Sequence, residues 1–151
     1  MRYAAPLFVL GILLAACGGG GPGGTPQETF DAMKSAMESE DWGTIFDIMS
    51  PDRRKELENE LKGDEEDVGA MIGKSAEDVK SMSVREVFVE VMAKFVEMDR
   101  SKIDQAKKAE FVEEKIDGDH ATVKIKVGDD EDTVRMVKVD GKWYLDEEFG
   151  M

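Results

Sequence analysis

Apolar positions change their spacing once along this chain, recurring at helical intervals from Pro26 onward and alternating residue by residue from about Ala109. After a Pro26 start, Phe30, Met33 and Met37 share one helical face, and Trp42, Ile45, Phe46 and Met49 form a second short stripe. Ser50-Pro51-Asp52 opens a third helix. The serine hydroxyl takes an orphan backbone N–H, proline has none to lose at the first position, and an acid suits the positive helix end. Apart from Leu57 and Leu61 this helix is polar, so most of it should face water. Gly63 and the acidic run Asp64-Glu65-Glu66-Asp67 then precede Val68, Met71 and Ile72. The clearest helix begins at Ser83, with Glu86 completing a capping box. Val84, Val87, Phe88, Val91, Met92, Phe95 and Val96 follow in steps of three and four, a single broad apolar face. Its β-branched residues weaken intrinsic helicity, so packing must hold it, and a sheet is the expected partner.

The second half reads as that sheet. Ala121, Val123, Ile125 and Val127 alternate with Thr122, Lys124 and Lys126, which gives a strand one covered face and one wet face. Gly118-Asp119, Gly128-Asp129-Asp130 and Asp140-Gly141 read as hairpin turns, the last suited to the type I′ geometry. Pairing across Asp140-Gly141 sets Val139 opposite Lys142 and Met136 opposite Leu145, with Val134, Met136, Trp143 and Leu145 on one face. Four antiparallel strands are expected. Helices first and a strand meander after them make an α+β fold, with N-terminal helices packed on a curved antiparallel four-stranded C-terminal sheet.

Residues 1–16 have a different character. Arg2 precedes an apolar run from Leu7 to Leu14, too short to span a bilayer, and then come the small residues Ala15 and Ala16. This is the plan of a signal peptide. Leu14-Ala15-Ala16-Cys17 resembles the lipobox of bacterial lipoproteins. The resemblance implies a diacylglyceryl thioether on Cys17, cleavage before it and acylation, for example with palmitate, of the new amine. Two or more acyl chains give stable anchoring, so the mature protein is expected to be exported and held on a membrane. In a Gram-negative cell the absence of Asp after Cys17 favours the outer membrane, with the domain in the periplasm or at the cell surface. Gly18 to Pro26 has no side chain able to build a core and reads as a flexible tether. These nine residues span about 15 to 18 Å as a coil. The expected organisation is therefore signal peptide 1–16, lipidated Cys17 and tether to 25, and α+β domain 26–151.

Composition narrows the chemistry. The chain of 151 residues has 34 acidic and 20 basic side chains and a net charge of -14, which becomes -15 once Arg2 leaves with the signal peptide. That charge repels phosphate backbones, so no nucleic-acid partner is expected, and anionic lipid offers no attraction beyond the acyl group. One Cys excludes an internal disulfide. One His, His120 beside a hairpin turn, cannot build a usual zinc site and has no nucleophile-elbow partner. The acidic runs Asp64-Glu65-Glu66-Asp67, Asp129-Asp130-Glu131-Asp132 and Asp146-Glu147-Glu148 offer oxygen ligands but lack the spaced pattern of a calcium loop. They read as solvated loops and ends. Ten methionines invite a copper reading, but Met33, Met37, Met71 and Met92 fall in apolar stripes where they fill space. No metal and no cofactor is expected.

Over roughly residues 25 to 148 the domain resembles small lipoproteins and secreted domains of the nuclear-transport-factor-like, or cystatin-like, superfamily. The residues carrying this are the early helices with Ala36 and Trp42, the Ser50-Pro51 step, and the closing hairpin from Val137 through Asp140-Gly141 to Trp143, Tyr144 and Leu145. The resemblance implies a conical roll with a pocket between helices and sheet. Enzymes of this kind, isomerases and cyclases, place an Asp base and hydrogen-bond donors in that pocket. Asp99 and Tyr144 are the residues to examine for it, with a solvated helix end and a half-exposed sheet position as their plain structural roles. The leading expectation is a non-enzymatic module binding an envelope protein or a small apolar ligand. A small-molecule enzyme using the cone pocket is the alternative, and a purely structural envelope component a third reading.

Overall fold

A computed structural model describes residues 21–146, so the expected signal peptide, Cys17 and the C-terminal residues 147–151 lie outside the described residues. Within them, seven helices precede a four-stranded antiparallel sheet. The helices are α1 (Pro26–Ser39), α2 (Trp42–Ile48), α3 (Pro51–Leu61), α4 (Glu65–Ile72), α5 (Ala76–Ser81), α6 (Val84–Met98) and α7 (Arg100–Ala106). The strands β1 (Glu110–Asp117), β2 (His120–Val127), β3 (Asp130–Val139) and β4 (Lys142–Leu145) form a meander in the order β1-β2-β3-β4.

Local chemistry starts most of the helices. Thr25 and Glu28, Ser75 and Asp78, and Ser83 and Glu86 each close a capping box, while Ser50 caps α3 ahead of Pro51. The closing hairpin has the expected register, with Val139 opposite Lys142 and Met136 opposite Leu145. Asp140 and Gly141 both adopt positive φ, 50° and 79°, as a type I′ turn requires.

Ala121, Val123, Ile125, Met136, Trp143 and Leu145 are buried on the helix side of the sheet. α1 lies on that face against β1, β2 and β4, with Phe30 meeting Phe111 edge-on at 5.8 Å. α2 has buried residues around its circumference, including Trp42, Thr44, Ile45 and Ile48, because it sits between the sheet and a further layer of helix. That outer layer is α6, and here the expected packing differs from what is found. α6 rests mainly on α2, with α4, α7 and α3 alongside, rather than on the sheet. α1 and α2 already occupy the sheet's apolar face, so α6 packs one layer out. Phe88, Met92 and Val96 join the main core, with the Phe88 ring 5.7 Å from Phe46. Val87 and Val91 instead build a smaller cluster with Ile72 and Val79. Phe95, expected in the buried face, is half-buried under the Lys102 ammonium, 5.5 Å from its ring centroid.

Two further expectations are corrected. Met71 does not fill space: it is 51% exposed, since α4 turns only Ile72 and Gly69 fully inward. Gly23 to Thr25, expected to contribute nothing to the fold, are also hydrogen-bonded onto the domain. The Gly23 N–H donates to the Thr29 hydroxyl at 2.9 Å and the Gly23 carbonyl accepts the Trp143 N–H at 2.9 Å. Gly24 and Thr25 donate their N–H groups to the Glu28 carboxylate. The folded domain therefore begins at Gly23.

Gly69 shows how a residue with an unfavourable helix propensity can be required by packing. A Cβ built on it would lie 2.7 Å from the Lys74 carbonyl oxygen, a backbone atom that cannot swing aside. Gly69→Ala, which in an open helix would stabilise by about 0.5–1 kcal/mol, is expected here to destabilise by about 1–2 kcal/mol, measured as a lower urea midpoint. An unchanged or raised midpoint would show that the turn after α4 can move away.

Candidate functional site

A cleft of about 770 Å³ opens between α1, α7 and the β2–β3 hairpin. It is the place where helices and sheet jointly leave room. Met33, Met37, Ile125 and Val134 give it an apolar floor, Lys102 and Lys108 stand on one side, and Asp129, Asp130, Glu131 and Asp132 on the other. Strand register explains the acids. Asp130 pairs with Val127 and Asp132 with Ile125, so both share the helix-facing side with apolar partners. Glu131 points to the opposite face, where its carboxylate meets the Lys124 ammonium at 2.7 Å. That ion pair holds the Glu131 carboxyl below its ordinary range.

The residues singled out for chemistry are dispersed rather than brought together. Asp99 ends α6 and caps α7, accepting both the hydroxyl and the backbone N–H of Ser101, and these two bonds hold its carboxyl below the ordinary range. His120 is exposed at the start of β2, opposite Asp117. Tyr144 lies half-buried on β4, with the Arg54 guanidinium 5.9 Å from its ring and equally far from that of Phe46. None of the three lines the cleft. Of the acidic runs, the first occupies the first turn of α4 with no side-chain capping bond from Asp64, the second lines the cleft, and Asp146 accepts the Ser50 hydroxyl at 2.9 Å, while Glu147 and Glu148 lie outside the described residues. Among the described residues no group of three or more His, Cys, Asp and Glu is placed to hold a metal ion. Nor is any described helix long and apolar enough to cross a membrane. Comparison with known proteins finds no matching family model, no similar curated protein and no similar solved structure.

Sequence reasoning missed the polar fastening of β4. Thr29 is fully buried, and its hydroxyl accepts from Gly23 and donates to the Trp143 carbonyl at 2.8 Å. Ser50 is also buried, and its N–H donates to the Leu145 carbonyl at 2.7 Å while its hydroxyl donates to Asp146 and accepts from Arg53. The contacts with Trp143, Leu145 and Asp146 join positions more than ninety residues apart, so no local pattern signals them.

The capping carboxylates make acid stability a measurable property. Asp41 is held below its ordinary value chiefly by the Thr44 backbone N–H, Asp78 by the Ser75 hydroxyl, Glu86 by the Ser83 hydroxyl and Asp99 by the Ser101 hydroxyl. A carboxyl depressed in the folded chain contributes its stability above the ordinary values, 3.8 for Asp and 4.5 for Glu, and loses it as pH falls through the folded value. Melting temperature is therefore expected to fall as pH drops below about 4. A melting temperature that stays level down to about pH 3 would contradict this.

Proposed function

We propose that this chain is a lipoprotein of the bacterial envelope whose α+β domain acts as a non-enzymatic binding module. The observation that carries the reading is the succession Leu14-Ala15-Ala16-Cys17, a Gly-rich stretch, and a folded domain starting at Gly23. An acyl anchor on Cys17 followed by the five residues 18–22 allows the domain about 12 Å of coil from the membrane surface. Binding rather than catalysis is supported by the separation of Asp99, which caps α7, His120, exposed on β2, and Tyr144, beside Arg54 on β4. The amphipathic cleft is the natural seat for a small ligand, and the sheet surface for a protein.

Replacing Cys17 with Ser in the full-length chain tests the anchor. Wild type is expected to fractionate with membranes and to incorporate labelled palmitate, and the variant to be soluble and unlabelled, because a serine hydroxyl is not the thiolate nucleophile that forms the thioether. A variant that stays on the membrane, or an unlabelled wild type, refutes the proposal.

A further inference from the structure

The two edges of the sheet are treated differently. On β4 the outer backbone groups are taken: Gly23 accepts the Trp143 N–H, the Thr29 hydroxyl donates to the Trp143 carbonyl, and Ser50 donates to the Leu145 carbonyl. On β1, among the described residues, no backbone bond other than those to β2 is made. Phe111 is half-buried and the other seven residues of the strand are exposed. Two of them are large and apolar, Val112 at 46% and Ile116 at 50%. Ile116 pairs with the buried Ala121, so it lies on the side of the sheet that the helices cover elsewhere, yet it is left bare.

The fold itself displays which chemistry pairs with this strand. β2 alternates Val123, Ile125 and Val127 with Lys124 and Lys126, and the register sets Glu113 opposite Lys124 and Glu110 opposite Lys126. Side chains of a strand stand on its faces and are shared by neighbours on both edges, so Glu113 and Asp117, on either side of Lys115 on the face of Lys124, offer carboxylates outward, while Ile116 and Glu114 stand on the other face. A second copy is a poor occupant. It would set four carboxylates and one lysine against the same set, between chains each carrying -14. The bulge between Phe111 and Glu113 confines regular pairing to residues 113–117.

We infer that the outer edge of β1 receives, as a fifth strand over residues 113–117, an extended segment of another protein in which apolar residues alternate with lysine or arginine. The inference rests on the binding-module reading and deepens it. Gly23 fastens at β4, the opposite edge of the sheet, three strand spacings or about 14 Å from β1.

The probe is a capped peptide with the sequence of residues 120–127, added to the full-length wild-type protein and followed by amide hydrogen exchange. Slower exchange across residues 113–117 is expected, absent when both peptide lysines are replaced by glutamate. Glu113→Lys with Asp117→Lys should weaken the peptide's Kd about tenfold, as loss of exposed cross-strand ion pairs does, with an unchanged far-UV spectrum. Equal protection by the glutamate peptide, protection confined to other segments, faster exchange in β2 through displacement, or no protection up to about 1 mM peptide overturns the inference. Since the wild-type chain carries the main measurement, a poorly folded variant leaves the test intact. Failure of the anchor shows separately, in the fractionation of Cys17→Ser.

Discussion

Replacing Phe30 with alanine is expected to lower the stability of the domain by about 3–5 kcal/mol, seen as a drop in urea midpoint with little change in slope. The ring is 2% exposed and meets Phe111 at 5.8 Å with an interplanar angle of 61°, on the helix that covers β1, β2 and β4. Truncation removes both the transfer of the ring from water and the contacts of a packed wall, because a helix fixed to three strands cannot close the gap by shifting toward one of them. A domain of this size has about 5–15 kcal/mol in total, so the variant should be marginal at physiological temperature. Met71→Ala serves as the contrast. At 51% exposure that side chain should matter by less than about 0.5 kcal/mol. A cost for Phe30→Ala below about 1.5 kcal/mol would mean that the seam between α1 and the sheet can collapse, and that the core is centred elsewhere.

Thr29→Val is the sharper experiment, because it keeps the shape and removes one oxygen. The hydroxyl has a single hydrogen, which goes to the Trp143 carbonyl at 2.8 Å in preference to the Thr25 carbonyl at 3.4 Å, while its lone pair accepts the Gly23 N–H. It thereby bridges the Gly23 N–H to the Trp143 carbonyl, beside the direct bond from the Trp143 N–H to the Gly23 carbonyl, and completes the edge of β4. Valine leaves the part-buried Gly23 N–H and the buried Trp143 carbonyl without this partner, an expected loss of about 1–3 kcal/mol. Thr29→Ser retains the hydroxyl and should cost about 1 kcal/mol, the value of one buried methyl group. Faster exchange of the Trp143 amide in the valine variant and near-normal exchange in the serine variant would assign the effect to the bond. Equal losses in both would assign it to packing.

These contacts mark the boundary between local and long-range information in the chain. The capping boxes at Thr25, Ser75 and Ser83 lie within four residues of sequence, as do the glycine turns, and such signals set element starts and strand register before any packing exists. The register across Asp140-Gly141 follows because a two-residue turn leaves no slack. Periodicity also identifies which face of each element is apolar. It does not say what that face will meet. The α6 stripe suits either a sheet or a helix layer, and its neighbour was settled by α1 and α2 reaching the sheet first. Likewise, Gly23 looks like tether by composition and becomes part of the sheet edge only because Thr29 and Trp143 converge on it.

The same division holds for function. The pattern Leu14-Ala15-Ala16-Cys17 lies within four residues, so it is visible in the sequence alone, as is the net acidity. The cleft above Met33 and Met37 and the unequal edges of the sheet depend on residues distant in sequence meeting at one place. Such meetings are decided by shape and by which polar groups find partners in the packed chain. The sequence by itself showed the longer helices, the hairpin turns and the α+β order, but neither α5 nor α7; the tertiary structure alone decided which helix covers the sheet, that Gly23 joins its edge, and that β4 is fastened while β1 stays open.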